Sequence, residues 1–75
     1  MKELDSLTTQ ELIQLALDSD PRSYMFWTWA GWVCGRIYDY ALDEAKELHR
    51  AACERDRDKA REILRNLADM LAVDQ

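Results

Sequence analysis

A chain of 75 residues, 48% hydrophobic and 33% charged, has room for one globular domain with a small core and lacks the composition of a disordered segment. Its formal net charge of -5 argues against direct nucleic-acid binding, which needs a basic footprint to neutralise phosphates; basic or apolar protein surfaces are the natural partners. The longest apolar run is about a dozen residues, against the roughly 20 that span a bilayer, and the start Met1-Lys2-Glu3-Leu4-Asp5 has no secretory pattern, so the expectation is a cytoplasmic protein without membrane contact.

The first helix is marked by a capping box. Thr8 and Glu11 stand three residues apart, so the hydroxyl and the carboxylate can each satisfy the other residue's backbone N–H, with Leu7 and Leu12 closing a hydrophobic staple. The pattern predicts a helix over about 9–19 with an apolar stripe of Leu12, Leu15 and Ala16. At ~16 Å it is too short to be stable alone and must dock.

Asp20-Pro21 then predicts a second helix, with Asp20 as N-cap and Pro21 at the first helical position. Every aromatic residue of the chain lies between Tyr24 and Tyr40, so this helix supplies nearly all the bulky surface available to a core or an interface. One stripe, Trp27, Ala30, Cys34, Ile37, Tyr38, Ala41, Ala45, Leu48 and Ala52, holds helical spacing throughout, which predicts an unbroken helix over 21–54, about 50 Å long. Gly31 and Gly35 weaken it by roughly 1 kcal/mol each without ending it. Their spacing suits close packing of the first or last helix.

Extended past Ala52, the stripe lands on polar residues, whereas Ala60, Ile63, Leu64, Leu67, Met70 and Leu71 form a stripe of their own. A turn is therefore predicted at about 55–57, with Asp56 or Asp58 as N-cap and a third helix over 57–73. The expected fold is an all-α, three-helix domain over 1–75: a short capped helix, a long central helix and an antiparallel third helix. A helical homodimer is the variant.

Opposite the long stripe, the central helix carries Met25, Trp29, Trp32 and Arg36, then the acidic series Asp39, Asp43 and Glu47. Two readings stand for Trp29 and Trp32: core beneath the first helix, or, with Met25 and Arg36, an exposed anchor patch of the residue types that dominate binding hot spots. Helix lengths favour the second, because ~16 Å and ~25 Å helices cannot sheathe both sides of a ~50 Å one. Asp39, Asp43 and Glu47 would steer the patch to a basic site, or face the basic series Arg57, Arg61 and Arg65 as surface pairs worth at most about 1 kcal/mol each. His49 and Cys53, at i and i+4, supply too few ligands for a metal site, and no nucleophile–base set, glycine-rich phosphate loop or Cys-x-x-Cys is present. No cofactor is expected. Cys34 and Cys53 are expected as free thiols.

The functional expectation is a non-enzymatic protein-binding module that blocks or adapts a partner through Met25, Trp29, Trp32, Arg36, Asp39, Asp43 and Glu47. The alternative is a structural or regulatory homodimer that buries the aromatic face in itself. In size, acidity and lack of a catalytic signature the chain resembles the general type of phage-encoded inhibitor, including anti-CRISPR proteins, which implies occupation of a nucleic-acid-binding complex.

Overall fold

The computed structural model describes residues 7–73, with side chains to residue 71. Over that range the chain is all-helical, in four helices: α1 (Thr9–Asp18), α2 (Tyr24–Ile37), α3 (Leu42–Glu54) and α4 (Arg57–Val73). The expected domain over 1–75 also includes 1–6 and 74–75, which lie outside the described residues.

The capping box forms as the spacing requires: Glu11 N donates to Thr8 Oγ1 at 3.1 Å, and Thr8 N donates to Glu11 Oε1 at 2.9 Å. Both orphan donors are satisfied, and α1 turns Leu12, Ile13 and Ala16 into the core. Its far end is closed by Ser19, whose N and Oγ both donate to Leu15 O.

The second helix starts later than expected. Asp20 opens a turn in which its Oδ1 accepts from Arg22 N at 2.9 Å and its carbonyl accepts from Ser23 N at 2.8 Å. Pro21 therefore occupies the second position of a β-turn, where its fixed φ is equally favourable, and Ser23 caps α2 by accepting from Phe26 N.

The expected helix over 21–54 is two helices. α2 runs straight through Gly31 and Gly35 but ends at Ile37, whose carbonyl accepts from Tyr40 N and Ala41 N, and α3 begins at Leu42. The buried residues keep one helical phase across this break, through Ile37, Ala41, Ala45 and Leu48, so hydrophobic periodicity does not register it. Local propensity does register it: Tyr38, Asp39 and Tyr40 are three consecutive weak helix formers, and Asp43 and Glu44 suit the first turn of a new helix. A continuous helix would be about 50 Å long, whereas the folded chain measures only 31 × 30 × 18 Å. Folding α3 back covers a second side of α2, and that burial outweighs the few helical hydrogen bonds lost at 38–41.

The turn expected at 55–57 is present. Arg55 takes the left-handed conformation (φ 55°, ψ 37°), its N–H bonds to Ala52 O, and Asp56 N bonds to Ala51 O, the two bonds of a Schellman closure. Asp56 then caps α4, its Oδ1 accepting from Lys59 N at 3.1 Å.

Each helix packs against two others in a closed ring: α1 on α2, α2 on α3, α3 on α4, and α4 back on α1. The core lies inside it, built from Phe26, Val33 and Ile37 of α2, Leu12 and Ile13 of α1, Leu48 of α3, and Leu64 and Leu67 of α4, with alanines where helices approach closely. Gln10 Nε2 donates to Ala68 O at 3.0 Å and joins the ends of the ring. α4 lies diagonal to α2, so the aromatic half is covered on one side by α1 and on a second by α3.

Candidate interaction face

Among the fourteen residues of α2, YMFWTWAGWVCGRI, Arg36 is the sole charge. Such a helix is apolar nearly all round, and its neighbours decide which sides stay in water. The inner side is Phe26, Ala30, Val33 and Ile37, all buried. Directly opposite, at 100° per residue, stand Tyr24, Thr28, Gly31 and Gly35.

Among the described residues that opposite side has no intramolecular cover. Tyr24 is 81% exposed, and a Cβ built on Gly31 or Gly35 meets no atom within 4 Å. Both glycines have ordinary helical φ. Their expected role in packing α1 or the last helix is therefore not what the structure shows. The glycines form the floor of an open groove of about 600 Å³, walled by Tyr24, Trp27 and Trp32 and closed at one end by Arg36.

The walls are held in place. Trp27 stands edge-on to Phe26 at 5.0 Å between centroids and 77° between planes, and the Arg55 guanidinium lies 5.4 Å from its ring centre, a cation–π contact. The Thr28 hydroxyl is turned back onto Tyr24 O, so it is already satisfied along the helix. The groove thus offers mainly aromatic faces and backbone, with the Arg36 guanidinium at one end, which suits docking of a largely apolar segment.

The residues expected as anchors lie beside this groove and divide by burial. Met25 and Trp32 are exposed, at 46% and 38%. Trp29 is half-buried and packs against the core. Arg36 donates from Nη1 to Leu7 O at 2.8 Å, tying α2 to the residues before α1. Asp39, Asp43 and Glu47 are exposed, but the break at 38–41 leaves Asp39 in the turn, so the three do not share one helix. Asp43 and Glu47 line a shallow groove of α3 together with Lys46 and Arg50, which interleaves positive charge. Arg57 and Arg65 on α4 are exposed and Arg61 is half-buried.

Sequence reasoning missed Tyr24, Trp27, Thr28, Gly31 and Gly35 as lining residues. The signal was available: Tyr24, Thr28, Gly31 and Gly35 stand opposite Phe26, Ala30, Val33 and Ile37, and Trp27 flanks them. Phasing α2 on a stripe carried through α3 rotated the assignment by about 50°, half a residue's step.

The remaining chemistry is sparse. Cys34 and Cys53 are free thiols on different helices. Cys34 Sγ donates to Ala45 O at 3.3 Å, and burial pushes its thiol up from the ordinary value. Cys53 Sγ and His49 Nε2 are 3.6 Å apart and exposed. Among the described residues no three His, Cys, Asp or Glu side chains cluster to hold a metal, and no helix is long and apolar enough to cross a membrane. The chain matches no family model, no curated protein and no solved structure.

Proposed function

We propose that this chain is a non-enzymatic interaction module that presents the outer side of α2 to a partner protein and blocks or adapts it. The observation that carries the reading is the aromatic-walled groove over Gly31 and Gly35, which α1, α3 and α4 leave open. Tyr24, Met25 and Trp32 are the anchors, because they combine large apolar area with exposure; Trp29 and Arg36 hold the face in position. Asp39, Asp43 and Glu47 act at longer range, biasing encounter towards a basic surface. A complex that handles nucleic acid has such a surface, and in that case the chain acts as an inhibitor of the phage-encoded, anti-CRISPR type.

The test is capture from source-cell lysate by the wild type and by a Tyr24→Ala, Trp32→Ala variant shown by circular dichroism to be folded. A protein retained by the first and lost by the second supports the reading. Equal capture by both removes α2 as the docking face and turns attention to Asp43 and Glu47.

A further inference from the structure

Gly31 and Gly35 are the only glycines of the chain, and packing among the described residues uses neither. No positive φ and no neighbouring atom of the described residues requires them, yet each weakens α2 relative to alanine. An aromatic-walled groove with a backbone floor lets a second helix come closer than the usual 8–10 Å between axes, provided that helix is equally small along its contact stripe. α2 of another copy meets that condition by construction, since a two-fold contact applies the same stripe to both sides.

Charge sets the direction. Arg22 precedes α2 and Asp39 follows it, both exposed, and the midpoint between them falls at Ala30 and Gly31. Antiparallel pairing across Gly31 therefore places Arg22 of each copy at the level of Asp39 of the other and aligns the helix dipoles favourably, whereas parallel pairing sets like charges together. Area sets the strength. Tyr24, Met25 and Trp32 expose roughly 300–400 Å² per chain, about half of what a stable complex buries on each side.

We infer that the docking face of α2 is occupied, in the absence of another partner, by α2 of a second copy, antiparallel and crossing at Gly31, in a weak and reversible dimer. The inference rests on the reading of α2 as a docking face and names its first occupant. Weakness is what allows a tighter partner to displace the copy.

Sedimentation of the full chain from about 1 µM to about 1 mM tests it, a range that spans the affinities such an area supports. The expected result is a mass rising from one chain to two. Gly31→Leu, whose side chain points into open space in the monomer, keeps its helical circular dichroism and weakens the dimer at least ~tenfold. Arg22→Glu and Asp39→Arg each weaken it about threefold or more, and the two together restore it. If Gly31→Leu loses its helical signal, Gly31→Ala takes its place with a smaller shift in the same direction. A single-chain mass at every concentration overturns the inference, as does a dimer indifferent to Gly31 or to the charge reversals. Capture from lysate reads the docking face separately. A monomeric wild type whose capture still needs Tyr24 and Trp32 sinks the dimer alone; a Gly31-dependent dimer whose capture ignores them supports the pairing and sinks the docking reading.

Discussion

Arg55 holds a backbone conformation that suits glycine and a side chain position that needs arginine. In the left-handed region an L-residue is disfavoured by roughly 1 kcal/mol relative to glycine, but its guanidinium stacks on Trp27, a contact worth about 0.5–1 kcal/mol at a partly exposed site. Arg55→Ala keeps the strain and loses the stacking, whereas Arg55→Gly loses both. Urea unfolding should therefore place the glycine variant about 1 kcal/mol above the alanine variant and close to the wild type. Equal midpoints for the two variants would mean that the turn is not held in the left-handed form. Cys34 supplies a pH signature at the same scale. Burial raises its folded-state pKa above the unfolded value of 9.0, so below that value its thiol is neutral in both states and its contribution is fully present. As pH climbs through 9 the unfolded chain ionises first, and stability falls until the folded pKa is passed. Stability measured against pH should lose part of this alkaline decline in Cys34→Ala.

At the scale of elements, α1 depends on its capping box more than its length suggests. Thr8→Ala leaves Glu11 N without its acceptor and should lower stability by about 1 kcal/mol, read as a shift in the urea midpoint with unchanged slope. Such local devices were legible in the sequence. Thr8, Glu11, Asp56 and the change of apolar phase after Ala52 fixed α1, α4 and the turn before α4 to within a residue or so. The break at 38–41 was not legible from periodicity, because Ile37, Ala41, Ala45 and Leu48 satisfy one helix as well as two; compaction chose between them. The groove was lost through the same assumption. A stripe averaged over two helices misplaced the phase of α2 and pointed to Trp29, which is half-buried against the core, rather than to Tyr24 and the glycines.

The molecule as a whole is small enough that one side chain decides whether it folds. A 75-residue chain has a total stability of about 4–11 kcal/mol, and removing a buried phenylalanine side chain takes away about 3–5 kcal/mol. Phe26 is fully buried in α2, while Tyr24, two residues earlier on the same helix, is 81% exposed on the opposite side. The two aromatics thus report the orientation of the whole helix within the ring. Phe26→Ala should lose most of the cooperative unfolding transition, whereas Tyr24→Ala, like surface changes generally, should stay within about 0.5 kcal/mol of the wild type. Both are read by circular dichroism against urea at low protein concentration, where any dimer has dissociated. Comparable losses in the two variants would mean that α2 is enclosed on all sides, and a helix so enclosed has no face left for a partner or for a second copy.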